Sequence, residues 1–168
     1  MAASTINIGS NPEVRGSLKF TGANDIGPQI QMTLTLVQLA PAAALSMIGD
    51  EWGIIEIDGE VLAVGGSFGT VTHPDGAMIS PTIEAYYVGT GLLDWQPEGG
   101  TTFSPLGNCN QFEFTPQIQR LDHWSHMTGI RSKDFSPIVQ QSGTVRLRLD
   151  EFTAKNLAMY LLDSSLVT

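Results

Sequence analysis

Residues 26–49 form a stretch with no charged side chain, long enough to be mistaken for a membrane span. Its internal order says otherwise. Gln29, Gln31, Thr33 and Thr35 alternate with Ile30, Met32, Leu34 and Leu36, and Pro28 and Pro41 bracket the run. A helix repeats its apolar side chains every three to four residues, whereas a strand sends successive side chains to opposite faces. Strict alternation therefore predicts a strand over residues 29–39, one face in a core, stopped by Pro41. The first residues carry neither a basic cluster nor an apolar block, so no export segment is expected. The expectation is a soluble chain with no membrane partner.

The same period recurs. Ser17-Leu18-Lys19-Phe20 reads as a strand ending at the turn Gly22-Ala23-Asn24-Asp25. Residues 52–64 set Ile55, Ile57 and Val61 against Glu56 and Glu60, with Asp58-Gly59 between them. That pattern fits two short strands around an Asp-Gly turn, or one strand bulged at Gly59. Gly65-Gly66-Ser67-Phe68-Gly69 and His73-Pro74-Asp75-Gly76 are loops by their turn chemistry, and residues 79–88 have strand composition. Gln111-Phe112-Glu113-Phe114-Thr115 alternates up to Pro116, which suits an edge position or a bend. In residues 139–149, Val145, Leu147 and Leu149 oppose Thr144, Arg146 and Arg148. One helix is predicted over 153–162, capped by Asp150 or Thr153, with Phe152, Leu157, Tyr160 and Leu161 as its apolar face. Many strands and one helix predict a single mainly β domain over 1–168, a β-sandwich or barrel-like fold with one flanking α-helix and long loops.

The chain has 17 acidic and 8 basic residues, a formal charge of -9. That balance argues against a protein that neutralises nucleic-acid phosphates or adheres to anionic lipid. One cysteine, Cys109, excludes an intrachain disulfide framework and a multi-cysteine zinc site.

No constellation adds up to catalysis. His123 and His126 have a His-x-x-His spacing, with Asp122 and Cys109 as the nearby further ligands, but no zincin glutamate follows the first histidine. Asp122, His123 and Ser125 supply triad residue types without a nucleophile elbow. Cys109 reads as a small buried thiol at a strand start rather than a nucleophile. Gly89-Thr90-Gly91 lacks the third glycine of a dinucleotide loop, and residues 65–70 lack the P-loop lysine. Asp50, Glu51, Glu56, Asp58 and Glu60 crowd negative charge together without a calcium-loop pattern. The reading is a non-enzyme with no cofactor and no metal.

Residues 106–162 resemble the major tail tube proteins of bacteriophages with long non-contractile tails. The similarity lies in Leu106-Gly107-Asn108, the strand Phe112-Glu113-Phe114-Thr115-Pro116, and Leu121-Asp122-His123-Trp124-Ser125. It continues through Gly129-Ile130-Arg131-Ser132-Lys133-Asp134, the strand ending Arg146-Leu147-Arg148-Leu149-Asp150, and the helix start Thr153-Ala154-Lys155-Asn156-Leu157. The first half also resembles this family, but its C-terminal half: Gly16-Ser17-Leu18-Lys19-Phe20, the strand ending Leu39-Ala40-Pro41, and Gly49-Asp50-Glu51-Trp52-Gly53 onward. Those pieces would follow the helix in the family, and here they precede it. Two orders stay open. In one the chain is circularly permuted, with 78–168 joined to 2–77, Met78 a former start and Met1 a new one. In the other the order is native and Met78 is an ordinary loop residue. Permutation requires the two chain ends to lie within a few residues' reach of each other.

The resemblance implies a structural virion protein, made in the cytoplasm of a bacterial host. Its subunits would form hexameric rings that stack into a tail tube through which DNA leaves. Its partners would be copies of itself, other tail proteins, and passing DNA held without specific binding. The implied inter-subunit contacts are His123, Trp124, Arg131, Lys133 and Asp134. A lumen that must not grip phosphates needs carboxylates, and Glu51, Glu56, Asp58, Glu60 and Glu113 are the candidates. Two rivals are a tube protein of a contractile injection machine and a β-sandwich ligand-binding module built around Trp52, Trp95 or Trp124.

Overall fold

The computed structural model describes residues 5–24, 28–48, 52–73, 89–127 and 129–163. The chain is mainly β. Its strands are β1 (Val14–Gly22), β2 (Gln31–Pro41), β3 (Ile55–Val61), β4 (Gly69–Thr72), β5 (Gly91–Pro97), β6 (Ser104–Pro105), β7 (Cys109–Arg120), β8 (His123–Ser125), β9 (Ser132–Phe135) and β10 (Ile138–Leu149), followed by helix α1 (Ala154–Tyr160). Among the described residues, one antiparallel sheet runs β6-β5-β1-β2-β3-β10-β7, and β8 with β9 makes a separate pair.

One edge of β2 is shared. Its last residues, Val37 to Pro41, pair with β3, while Gln31 to Leu34 pair with β4. The turn at Gly65 and Gly66, both in the left-handed region that glycine adopts without penalty, closes a short excursion bridged by Val64 and Ser67, after which β4 continues along the same edge of β2 in line with β3. The sheet also curls. Phe20 on β1 stacks on Phe112 on β7 with ring centroids 5.7 Å apart, although three strands separate β1 from β7 along the sheet. Phe68 meets Phe114 edge-on. The resulting barrel-like shell encloses Leu18, Val37, Leu39, Ile55, Ile57, Trp95, Leu147 and Leu149, all essentially without exposure.

The alternating strands behave as their pattern predicts, and β3 corrects its prediction. It is one unbroken strand, with Gly59 in register with both Val145 and Leu39, neither a turn nor a bulge. Glycine is required there by space: a methyl on Gly59 would sit 2.7 Å from Val145 Cγ2 and 2.9 Å from Leu39 Cδ2 and Val37 Cγ1. Pro116 lies on β7, which among the described residues pairs with β10 alone and so is an edge strand that tolerates a missing N–H. The strand expected over 79–88, together with Met78 and most of the 73–76 loop, falls outside the described residues.

Helix α1 begins where predicted, with the Thr153 hydroxyl accepting from the Asn156 N–H at 3.1 Å. Its buried face differs from the expected one. Asn156, Ala158, Met159 and Tyr160 turn inward, Leu157 and Leu161 are half-buried, and Phe152 is exposed. Asn156 is the reason a polar residue can lead that face. Its Nδ2 donates to Leu106 O at 2.8 Å and Glu151 O at 2.9 Å, tying the helix to the loop before β7.

The described ends of the chain touch. Gly9 N–H and Asn11 N–H donate to Leu161 O and Leu162 O at 2.7 and 2.8 Å, covering carbonyls that the end of α1 leaves unsatisfied. Asp163, 1% exposed, accepts from Asn7 N–H at 2.6 Å and from the Ser10 hydroxyl at 3.1 Å.

Candidate assembly surface

Beyond Pro116 and Gly143 the β7–β10 ribbon leaves the body. Residues 115–120 of β7 and 138–141 of β10 are exposed, so both faces of this stretch meet solvent. A two-stranded ribbon with no core on either face is usually kept polar. This one carries Ile118, Leu121, Ile130, Phe135, Ile138 and Val139 exposed, together with Met127 at 95% exposure. Contiguous exposed apolar side chains rimmed by charge mark an interaction surface.

The five expected contact residues all gather at the tip of this arm, where β8 pairs with β9. They are held chiefly by one another. His123 Nδ1 lies 2.6 Å from Asp134 Oδ1, and Lys133 Nζ lies 2.6 Å from Asp122 Oδ1. The Ser136 hydroxyl donates to the same Asp122 oxygen at 2.7 Å. The Arg131 guanidinium stands 5.0 Å over the Trp124 ring. The bonds from Lys133 and Ser136 hold the Asp122 carboxyl below its ordinary range, and the His123 contact does the same for Asp134. The tip is thus a small hairpin braced by the Lys133–Asp122 ion pair, the His123–Asp134 hydrogen bond and one cation–π contact, with Asp122 and Ser136 as members that the sequence reading left out of the contact set. The His-x-x-His pair gathers no third metal-binding side chain among the described residues.

The expected lumen acids share a second surface, the outward face of β3, β10 and β7. Arg146 bridges Asp58 at 3.0 Å and Arg148 bridges Glu56 at 3.2 Å. Glu113 stands across from Arg146 in the ladder and accepts from Gln111 Nε2 at 2.8 Å. Glu60 lies between Gln38 and Thr144. Two of the four described acids are therefore answered by guanidinium groups, and Glu51 lies outside the described residues. Asp58, Glu60, Glu113, Thr115 and Arg146 line a polar groove of about 650 Å³ with Pro12 and Gln38 at its border.

The three tryptophans are dispersed. Trp95 is fully buried, Trp52 is 93% exposed, and Trp124 belongs to the arm tip. Cys109 sits at the start of β7, its Sγ donating to Gln111 O at 3.1 Å, and burial pushes its thiol pKa up. Burial lowers the pKa of Lys155, whose ammonium donates to Ser104 O and the Ser104 hydroxyl. No helix among the described residues is long and apolar enough to cross a membrane.

Fold and surface together define a mainly β domain that carries a braced, exposed arm and a charge-bearing outer face. Residues 86–166, just under half the chain, match the model of a family described as Protein of unknown function UCP028589. That stretch contains β5 through α1 and the whole arm. No curated protein and no solved structure matches the chain.

Proposed function

We propose that this is a structural virion protein whose copies assemble, as stacked rings, into the tail tube of a bacteriophage with a long non-contractile tail. The carrying observation is the arm: an ordered ribbon that exposes apolar side chains on both faces has no stabilising use inside a single copy. Buried against neighbouring copies, the same side chains would supply the apolar core of an interface, with the braced charges fixing its register. DNA passes such a tube without adhering because a chain with a charge of -9 offers phosphates little counterion release. The contact between residues 7–11 and 161–163 also supports the permuted order, since a join between the chain ends needs only a short span.

Size-exclusion chromatography with light scattering, followed by negative-stain microscopy, tests the reading. The expected result is ring or tube species for the wild type. Trp124→Ala with Arg131→Ala and Lys133→Ala is expected to give folded single copies. Undiminished tube length and yield in that variant would refute the role assigned to the arm.

A further inference from the structure

We infer that the arm tip of one copy seats in the β3–β10–β7 groove of the next, with Arg120 and Arg131 meeting Glu60 and Glu113. This rests on the self-assembly reading above and names the receiving surface.

Charge complementarity selects the partner. Three of the chain's eight basic side chains, Arg120, Arg131 and Lys133, fall within residues 120–133 of an otherwise strongly acidic molecule. Lys133 pairs with Asp122, Arg120 donates to the Ser136 carbonyl and adds its charge to the field on Asp122, and Arg131 leans on the Trp124 ring. The groove shows the reverse balance. Asp58 bridges Arg146, Glu113 faces the same guanidinium across the ladder without bridging it, and Glu60 forms no ion pair among the described residues. A second copy therefore carries both halves of a matched surface.

From Thr115 to Arg120 the arm extends about 17 Å at about 3.4 Å per residue, and Thr115, Gln117 and Ser142 at its base belong to the groove lining. A tip and a groove at different places on one molecule make a head-to-tail contact, which closes into a ring or continues as a filament. The same geometry explains why Glu56 and Asp58 carry guanidinium partners. A receiving floor needs a fixed pattern of both signs, whereas a lining that only repels needs carboxylates alone.

Two variants and their mixture decide it. The arm variant is Arg120→Glu with Arg131→Glu, and the groove variant is Glu60→Arg with Glu113→Arg. Each alone is expected to associate about a hundredfold more weakly than wild type, because like charges then face each other. An equimolar mixture pairs the intact arm with the intact groove and the reversed arm with the reversed groove, so light scattering should report assembly restored toward the wild-type size. Glu60→Gln with Glu113→Gln, which adds no cation, should weaken association less, and circular dichroism checks that each variant keeps its fold. Wild type that remains a single copy at all concentrations would remove the self-assembly reading itself. Wild type that assembles while the mixture stays as single copies, or while either variant assembles normally, would overturn the pairing alone.

Discussion

Replacing Gly59 by alanine tests whether the shell is closed around β3. Two opposing effects meet at this position. Glycine inside a strand is less favourable than alanine by roughly 0.5–1 kcal/mol, because it loses more backbone freedom on folding. Against that gain, the new methyl arrives 2.7–2.9 Å from three side chains, Val145, Leu39 and Val37. All three are at most 2% exposed, so none can swing into solvent. Overpacking of this kind costs typically about 1–3 kcal/mol. The net expectation is destabilisation by about 1–2 kcal/mol, and by at least about 1 kcal/mol more for Gly59→Val, whose extra methyls meet the same walls. With a urea dependence of about 2 kcal/mol per molar, the alanine midpoint should fall by about 0.5–1 M at unchanged slope. Gly65→Ala is the contrast: nothing lies within 4 Å of its added methyl and its φ is +62°, so its cost is that of the left-handed backbone alone. A Gly59→Ala protein as stable as wild type, or a valine variant no worse than alanine, would show that Gly59 serves a bend and not a packed interior.

Asn156→Ala should cost about 1–3 kcal/mol in urea unfolding, since Leu106 O and Glu151 O lose a buried donor. Thr153→Ala should cost about 1 kcal/mol, since its hydroxyl accepts from the backbone N–H of residue 156, which Asn156→Ala leaves in place. Cys109, its thiol pushed up by burial, should alkylate slowly with iodoacetamide at pH 8 in the native state and rapidly once unfolded; equal rates would contradict the burial. Asp122 and Asp134 have depressed folded pKa values, so their contribution is present above the ordinary carboxylate range and disappears as pH falls through the folded values. Amide protection factors across residues 121–127 and 129–137, taken against the intrinsic exchange rate at each pH, should therefore fall toward pH 2 before those of the core strands; protection that stays flat from pH 6 to pH 2 would deny the Asp122 and Asp134 contacts a role. A chain reordered as 78–168 followed by 2–77 should keep the wild-type circular dichroism spectrum and melt within a few degrees of it.

What the sequence disclosed followed from how local each signal is. Strands β1, β2, β7 and β10 were readable because one face is apolar and the other polar, and that contrast needs no partner to be seen. Strand β5 was missed: only Leu93 and Trp95 are buried in it, and the flanking glycines drew attention as a failed nucleotide loop. Asp58-Gly59 misled because Asp-Gly is a strong turn signal, whereas the cause of that glycine is crowding by Val145 from a distant strand. The helix was legible through Thr153, but its inward face was not, since Asn156 is polar and its partners lie in other loops. The arm tip came out as a group because its members are neighbours in sequence. The bridges from Arg146 to Asp58 and from Arg148 to Glu56 join residues about ninety positions apart, and only the strand register brings them together.

Strand order also has a consequence for synthesis on the ribosome. While the chain emerges from its N-terminus, β3 can lie beside β2, but the neighbour on its other side is β10, which ends at Leu149. For most of translation β3 is thus a bare edge, able to recruit the same edge of another nascent chain. Glu56 and Asp58 then stand in that edge without their arginines, and together with Glu60 they make identical strands repel one another, which keeps the half-made sheet from sticking to its copies. When Arg146 and Arg148 arrive, they silence that guard as the last long strand locks in.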